Sequence, residues 1–364
     1  MNHKELAKII VRTNLEIGEK DEVVIITGPK SLDYAEAIAY ECSIVGAYPS
    51  IQYGSDKLSL KIYKDIKKRF LKYIPKTTKI AAKLIDVRII LDDFNPFLAK
   101  KLPQDKIEIR RKTFKPIEKI LQERTLKRKM KIALVGFPNK KQAKALGISF
   151  KRLSKIYYDT MTIDYKKLYK FNKKLAKKLH KADNIRIVGD RTDLELSVKN
   201  REPILDTGII SKEKLWYMNL PCGEVFFAPV ENSANGEIYF DLPCMWHYGK
   251  QVKGVWFRFK NGKVVEYKIE RGLRDFEDIM RHASGQKYRI AELGIGTNPK
   301  AKITGGMTII DEKIKGTIHI AIGKNKHFGG KSESTIHWDF FKNMKRGKMF
   351  VDGKLIMNKG KLLV

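Results

Sequence analysis

The first half of the chain alternates short apolar runs with longer amphipathic stretches. Residues 22–29 read EVVIITGP, a continuous apolar run that ends in turn residues, which is typical of a parallel strand buried on both faces. Residues 31–47 follow with apolar side chains at helical spacing, and Gly46 stands where a left-handed helix cap is expected. The runs DVRIILDD and KIALVGFP repeat the strand pattern. Repeated strand and helix units predict an α/β fold with a doubly wound parallel sheet.

The second half has a different pattern, because helical spacing becomes rare and short strands alternate with glycine turns. The stretch GVWFRFKNGKVVEYKI places Asn261-Gly262 between two strand-like runs, which predicts a hairpin with a two-residue turn. Asp352-Gly353 has the same role near the end of the chain, and LRDFEDIMRHA predicts one helix. We therefore predict an N-terminal α/β domain over residues 1–185 and a C-terminal α+β domain, rich in antiparallel sheet, over residues 186–364.

The chain is strongly basic: 74 Lys and Arg residues against 41 Asp and Glu residues give a formal net charge of +33. Such a charge attracts polyanions. In residues 164–183, however, apolar side chains recur at helical spacing and lysines fill the other face, which is typical of a solvated amphipathic helix. No RNA-binding strand signature, zinc finger or Arg-rich tail accompanies the lysines. The pattern favours a generic basic surface over nucleic-acid binding.

Several classes of protein do not fit the sequence. It has no run of about 18 uncharged apolar residues, so no membrane span is expected, and the start MNHKELAKII has no apolar signal core. Cys42, Cys222 and Cys244 are too few for a disulfide framework or a four-thiolate zinc site, which indicates a reducing cytoplasm. No phosphate-binding glycine motif follows the predicted strands, so a nucleotide cofactor is not expected.

The octapeptide STIHWDFF places an imidazole and a carboxylate, His337 and Asp339, two positions apart in an apolar run. Side chains at i and i+2 of a strand point to the same face, so the two polar groups converge. Burying the pair is costly unless something neutralises it. Either the two groups hydrogen-bond to each other in the core, or they belong to a metal site.

Three further apolar segments each carry one more metal-binding side chain. GTIHIAIG contains His319, IAELGIGTNP contains Glu292, and NLPCGEVFF contains Glu224. Each acid could pair with a basic residue, and the histidine could be satisfied in the core. Buried carboxylates without partners are rarely tolerated, however, so one metal centre is the simpler explanation for the whole set. Three carboxylates and two imidazoles suit a pair of zinc, cobalt or manganese ions, which together activate a bound water.

Four motifs occur in an order that resembles a known family: NLPCGEVFFAP, AELGIGTNP, IIDEKIKGTIHIAIG and IHWD. They are similar to motifs of the aminopeptidase T and aminopeptidase S family of metallopeptidases, which remove N-terminal residues from peptides with two divalent metals. The resemblance implies a homodimer that acts on short peptides and carries the metal site in its C-terminal domain. It also implies these metal ligands: Glu224, Glu292, His319, His337 and Asp339.

The segment between the two histidines departs from the family pattern, because only 18 positions separate His319 from His337. In the family this loop carries a tyrosine, thought to assist at the oxyanion, and GKNKHFGGKSES has none. Lys326 and His327 occupy the region, and either could donate a hydrogen bond to developing negative charge or simply be exposed. Our candidate catalytic residues are Glu292 and His327.

Other charged residues near these motifs are candidates for supporting roles. The cluster DEK, residues 311–313, precedes the His319 strand. One of its carboxylates could accept the free N–H of a ligating histidine or pair with a substrate amine, or the cluster could be a solvated turn. Asp193 and Arg201, in RTDLELSVKNR, are further candidates.

These observations lead to one favoured function and two alternatives. The favoured function is a cytoplasmic, metal-dependent aminopeptidase. The first alternative is an iron-dependent aromatic-ring dioxygenase on a similar scaffold, since two histidines with carboxylates also bind iron. The second is a basic protein that binds nucleic acid or another polyanion without catalysis, for which the lysines are the only support.

Overall fold

The computed structural model describes residues 2–93, 101–210, 217–246 and 250–364, with the backbone alone at Lys250 and His327. The helices in these ranges are α1 His3–Lys8, α2 Leu32–Ile44, α3 Asp56–Asp65, α4 Lys76–Leu84, α5 Gln104–Leu126, α6 Lys140–Ala145, α7 Phe150–Met161, α8 Tyr165–Leu179, α9 Leu273–His282 and α10 Thr308–Asp311. A π-helix spans Ile9–Asn14, and two 3₁₀-helices span Lys68–Lys72 and Lys326–Phe328.

The strands of the same ranges alternate with these helices in the first half and follow one another in the second half. They are β1 Glu22–Thr27, β2 Tyr48–Tyr53, β3 Val87–Asp92, β4 Lys131–Gly136, β5 Asn184–Gly189, β6 Thr192–Ser197, β7 Ile204–Asp206, β8 Tyr217–Leu220, β9 Glu224–Phe227, β10 Asn235–Phe240, β11 Cys244–Trp246, β12 Lys250–Lys260, β13 Lys263–Arg271, β14 Ile290–Gly296, β15 Thr317–Gly323, β16 His337–Asn343, β17 Lys348–Val351, β18 Lys354–Asn358 and β19 Lys361–Leu362.

Contacts within the chain divide it into two compact units. The first is Met1–Lys140 with Gly208–Leu220, and the second is Lys141–Thr207 with Pro221–Val364. The boundary between residues 185 and 186 was predicted for two separate domains, and it stays a prediction. The contacts group residues 141–185 with the second unit. No helix in the described ranges has both the length and the apolar character that crossing a membrane requires.

The first unit contains a parallel sheet with the strand order β2-β1-β3-β4-β8, which confirms the predicted α/β class. In β1, alternate residues such as Val23 and Ile25 are fully buried and those between them are half-buried, so the two faces are covered unequally. The helix predicted after β1 is α2. Gly46 follows it with φ +81, a left-handed conformation that favours glycine, as its position predicted.

The second unit is built from antiparallel sheets, as predicted. One sheet has the order β11-β12-β10-β6-β5-β17-β18-β19, with β13 added to β12, and the other has the order β16-β15-β14-β9-β7. The predicted hairpin joins β12 and β13 through Asn261 and Gly262, both at positive φ. A β-carbon on Gly262 would lie 1.8 Å from the carbonyl oxygen of Glu231, so only glycine fits this turn. The helix predicted in LRDFEDIMRHA is α9.

An aromatic core fills the second unit and determines which way β16 faces. Trp338 and Phe340 of β16 pack against Phe257 and Phe276, with 4.8 Å between the ring centroids of Phe257 and Phe340. Because side chains alternate along a strand, the intervening residue Asp339 points away from this core. The packing of the apolar face of β16 therefore determines where the side chains of its polar face point.

Candidate metal centre

All five predicted ligands lie on the sheet β16-β15-β14-β9-β7 of the second unit. Glu224 begins β9, Glu292 lies in β14, His319 lies in β15, and His337 and Asp339 lie in β16. The backbone register brings them into neighbouring rows: Asp339 pairs with Ala321, and Ala321 pairs with Glu292. The structure thus brings together side chains that are up to 115 positions apart in the chain.

Small residues on the same face make room for these head groups. Gly294 pairs with His319, Gly296 pairs with Glu224, and Ala321 lies between Asp339 and Glu292. A β-carbon on Gly294 would lie 2.1 Å from Cε1 and Nε2 of His319, so the imidazole occupies the space that any larger residue would fill. The sequence ELGIG of β14 indicates this space, because glycines recur at every second position and therefore lie on one face of the strand.

Glu292 lies between the two histidines. Its Oε1 is 3.3 Å from Nε2 of His319, and its Oε2 is 3.2 Å from Nε2 of His337. A second carboxylate faces each imidazole: Glu224 Oε2 is 3.5 Å from Nε2 of His319, and Asp339 Oδ1 is 3.4 Å from Nε2 of His337. Each ring nitrogen is therefore flanked by two carboxylate oxygens, and one carboxylate is common to both groups.

The donor atoms fit a divalent cation. In each of three groups, all ligand atoms lie within 4.8 Å of one another: Glu224, Glu292 and His319; Glu292, His337 and Asp339; and Glu312, His319 and Asp339. Buried oxygens of two of these residues, Glu224 Oε2 and Asp339 Oδ1, have no hydrogen-bond partner among the described residues. Buried polar atoms are normally satisfied, so these oxygens fit ligands of a bound ion.

The protonation of His337 supports the same conclusion. Its Nδ1 lies 2.7 Å from the carbonyl oxygen of Lys324. A carbonyl only accepts, so Nδ1 carries the proton and, in the neutral ring, Nε2 has a free lone pair. That lone pair points at the carboxylates of Glu292 and Asp339, an arrangement that needs a proton or a metal ion between them.

Protonation is strongly perturbed throughout this cluster. Burial raises the pKa of Glu224 to about 8, although the Lys313 ammonium opposes the shift. Burial also acts to raise the pKa of Glu292, but hydrogen bonds from the two histidines lower it to about 2. Burial lowers the pKa of His337, but the Asp339 and Glu292 carboxylates outweigh burial and hold that pKa well above its ordinary value. Such concentrated perturbation is typical of functional sites.

The DEK cluster is not a solvated turn, so that interpretation is wrong. Asp311 and Lys313 are fully buried, and Glu312 is 8% exposed. Asp311 accepts hydrogen bonds from the backbone N–H groups of Thr304 and Gly306, both at 2.7 Å, and thereby holds a loop. Its neighbours instead belong to the site, because Glu312 is in one donor group and Lys313 contacts Glu224. The run of three charged residues in the sequence does not predict this burial.

The remaining candidates lie elsewhere or outside the described residues. Asp193 forms an exposed ion pair with Arg186, and Arg201 pairs with Glu231. Lys326 forms an exposed ion pair with Glu333. His327, the candidate oxyanion donor, has its side chain outside the described residues, and its backbone lies in the 3₁₀-helix Lys326–Phe328. That helix is near the site, since the ring centroids of Phe328 and His337 are 5.6 Å apart.

Two curated proteins are similar to parts of the chain. Aminopeptidase T of Thermus aquaticus is 33% identical over 118 residues, which cover 31% of this chain and 28% of that protein. Aminopeptidase AmpS of Bacillus subtilis is 25% identical over 186 residues, which cover 45% of this chain and 44% of that protein. The similarity thus spans less than half the length of either relative.

Two solved structures share the fold over the whole chain. Wild-type AmpT from Thermus thermophilus matches with a TM-score of 0.79 at 20% identity, covering 100% of this chain and 99% of that one. A 2,5-dihydroxypyridine dioxygenase from Pseudomonas putida matches with a TM-score of 0.67 at 14% identity, covering 100% and 97%. At these identities the likeness concerns the fold alone.

The family resemblance found in the motifs is confirmed over nearly the full sequence. The family described as "Thermophilic metalloprotease (M29)" matches residues 1–362. This chain therefore belongs to the thermophilic metalloprotease family.

Proposed function

We propose that the protein is a metal-dependent aminopeptidase that hydrolyses the N-terminal peptide bond of short peptides. One observation supports this most: Glu292 turns one oxygen to each of two histidines, and each histidine faces a second carboxylate. Family membership supports the peptidase class, and the two curated relatives are named as aminopeptidases.

We infer that two ions bind and that Glu292 is their common ligand. One ion would be held by Glu224, Glu292 and His319, and the other by Glu292, His337 and Asp339. Mixed nitrogen and oxygen donors suit zinc, cobalt or manganese. When bound, such ions polarise a carbonyl and lower the pKa of a bound water towards neutrality.

The charge of the cluster supports two ions rather than one. Among the described residues the cluster holds five carboxylates and the ammonium of Lys313, which contacts three of them. With all five carboxylates ionised, as ligation of a metal requires, and the imidazoles neutral, a surplus of four negative charges remains. Two divalent cations balance that surplus. The carboxylates are Asp206, Glu224, Glu292, Glu312 and Asp339.

The chain's own residues orient the ligands and create the local field. The Lys324 carbonyl fixes the tautomer and the orientation of His337. We propose that a carboxylate of the cluster pairs with the positively charged amino terminus of a peptide, a group that an internal peptide segment lacks. The role of His327 as a hydrogen-bond donor to the developing oxyanion stays a prediction, and Glu292 is the proposed catalytic carboxylate.

Two further inferences rest on the resemblance and on cysteine usage. We infer a homodimer from the family resemblance alone, which light scattering tests directly. We infer a cytoplasmic location from the low cysteine content. The dioxygenase alternative is less well supported, because two overlapping donor groups exceed the needs of a single iron.

The proposed activity is tested with protein stripped of metal and reloaded with zinc, cobalt or manganese. The substrates are short peptides and the same peptides with an acetylated amino terminus. We expect release of the first amino acid from the free peptides only, and loss of release in Glu292→Gln. Asp193→Asn is the matched control, because Asp193 is exposed and paired with Arg186. No release from any free peptide with any of the three metals would contradict the proposal.

A further inference from the structure

The ammonium of Lys313 is buried next to the candidate metal centre. The Lys313 side chain is 0% exposed, and its Nζ lies 2.8 Å from Asp206 Oδ2, 2.6 Å from Glu224 Oε1 and 2.8 Å from Glu312 Oε1. A lysine ammonium has three N–H donors and no acceptor. Each donor thus has one carboxylate oxygen, and Lys313 has no proton left to offer to a substrate.

Lys313 donates a hydrogen bond to Oε1 of Glu224 and forms an ion pair with Oε1 of Glu312. The other oxygen of Glu224, Oε2, is 3.5 Å from Nε2 of His319 and has no hydrogen-bond partner among the described residues. Glu312 also offers one carboxylate oxygen to the group that it forms with His319 and Asp339. A carboxylate with two unoccupied oxygens binds a cation through either one or both. Because Lys313 contacts one oxygen of the carboxylate, the cation is bound through the other oxygen alone.

We propose that Lys313 is a positioning residue that makes Glu224 and Glu312 each present a single oxygen to the metal centre. This inference rests on the proposed function, since it concerns ligands of the same ions. The proposed role of Lys313 is more than neutralisation of the Asp206 carboxylate, which is the simplest role for a buried lysine. The two roles differ in what happens when Lys313 and Asp206 are removed together, because that change preserves the net charge.

The experiment compares Lys313→Met/Asp206→Asn with Asp206→Asn alone, both loaded with Co²⁺. The double variant removes all three N–H donors and keeps the net charge of the chain, so Glu224 and Glu312 lose their contact with the ammonium without a change in total charge. Circular dichroism reports folding, visible absorption reports the coordination of Co²⁺, and competition with a chelating dye gives its Kd. We expect a folded double variant with an altered visible spectrum and a Kd weakened by about tenfold or more. An unchanged spectrum with a Kd within twofold of the single variant would overturn the positioning role.

A second variant keeps the test decisive if the methionine variant does not fold. Lys313→Gln/Asp206→Asn supplies an amide with two N–H donors. A Kd weakened by about threefold or more relative to Asp206→Asn supports the role, since one donor of three is lost, and an unchanged Kd overturns it. If wild type and Asp206→Asn bind no Co²⁺ at all, the proposed metal centre fails, which is a different result from failure of the positioning role.

A separate cavity of about 690 Å³ lies in the second unit, at the end of β15 and β16 where Thr317 pairs with Asn343. The opposite end of this strand pair carries His337. Apolar side chains such as Ile156, Leu242 and Ile314 line the cavity together with six cationic ones: Arg152, Lys155, Lys302, Lys315, Lys345 and Lys359.

The positive charge at this cavity is mostly uncompensated. Its acidic lining residue, Asp159, pairs with Lys155 at 2.9 Å. Across the part of the chain that the structure describes, Arg152, Lys302, Lys345 and Lys359 have no carboxylate within ion-pair distance. Like charges that converge on a concave surface repel one another and concentrate anions. The cavity also has the size range of small-molecule sites, about 300–1,000 Å³.

We infer that this cavity binds a phosphate-bearing organic anion of nucleotide size, with phosphates at the cationic rim and the organic part on the apolar lining. The measurement is the Kd of ATP by titration calorimetry near physiological salt, with the metal content of the protein determined before and after. Arg152→Gln/Lys302→Gln/Lys345→Gln/Lys359→Gln is compared with a control of equal charge change on the exposed face of α8, Lys166→Gln/Lys170→Gln/Lys174→Gln/Lys177→Gln.

The two variants separate a built site from a generic basic surface. We expect the cavity variant to weaken ATP binding about tenfold or more and the α8 variant by less than about twofold, because screening limits distant exposed charges. Equal losses in both variants, or no ATP binding by wild type, would overturn the inference. Binding of a single-stranded oligonucleotide that both variants weaken equally would instead indicate a surface for nucleic acid.

Discussion

Charged residues occur in two very different settings within the second unit. On α8, lysines such as Lys166, Lys170 and Lys177 are exposed on the face opposite to buried Leu168 and Leu175. At the candidate metal centre, acids and a lysine are buried and contact one another directly. Solvent screens the first set, so each lysine acts almost alone. In the second set, the charge of each group depends on its neighbours, so replacing one changes them all.

The largest effect should follow from replacing the carboxylate shared by both donor groups. Glu292→Gln removes the negative charge between His319 and His337. We expect peptidase activity and the affinity for both ions to fall by more than about 100-fold, beyond the loss seen when only outer contacts of a ligand are removed. Atomic emission after dialysis, together with peptide release, measures the change. Retention of two tightly bound ions would show that the site does not depend on Glu292.

Removal of the ions should destabilise the second unit. Without cations, the carboxylates around Lys313 repel one another in a buried site. At a metal concentration of about 100 times Kd, binding adds about 2.7 kcal/mol of stability. We expect chelation to lower the Tm and zinc to restore it more fully than magnesium, which prefers oxygen ligands. A Tm that is insensitive to chelation would indicate that nothing binds there.

A smaller effect should follow from adding one methyl group behind His319. Gly294→Ala places a β-carbon 2.1 Å from the imidazole, so the ring must move. We expect a loss of about 1–3 kcal/mol in the free energy of unfolding, as for other overpacked sites, together with weaker metal binding. Gly18→Ala is the matched control, because nothing lies within 4 Å of its β-carbon position. Denaturant titration compares the two variants, and equal stabilities would contradict the packing of His319.

The smallest effect should come from an exposed ion pair. Arg186 and Asp193 approach to 2.7 Å, but both side chains are about half exposed, at 51% and 53%. A double-mutant cycle should give a coupling energy close to the detection limit, as is usual for surface pairs. High salt should reduce it further. A coupling energy as large as that of a buried pair would remove the contrast between the two settings.

The sequence predicted the strands and most of the proposed site residues for a local reason. His337 and Asp339 share a strand face at a spacing of two, and the apolar residues around them mark a buried strand. The central place of Glu292 was not predictable, because it depends on strand pairing and on a register shift between Ile290 and Glu292. Such pairing joins distant segments, and no local pattern encodes it.

The burial of residues 311–313 was also beyond the sequence. Three adjacent charges are typical of a solvated turn, and only the three-dimensional arrangement brings Asp206 and Glu224 to the Lys313 ammonium. Charged residues are almost never fully buried unless they are paired. Asp206 and Glu224, which pair with Lys313, precede it by 107 and 89 positions, so no local pattern in the sequence indicates the pairing.

We propose that one shared carboxylate and two imidazoles bind a pair of divalent ions. Metal content per chain measures this most directly, by atomic emission on protein reloaded with zinc and then dialysed. We expect close to two ions per chain in the wild type and a clear loss in Glu292→Gln. A stoichiometry of one ion or none in the wild type would contradict it.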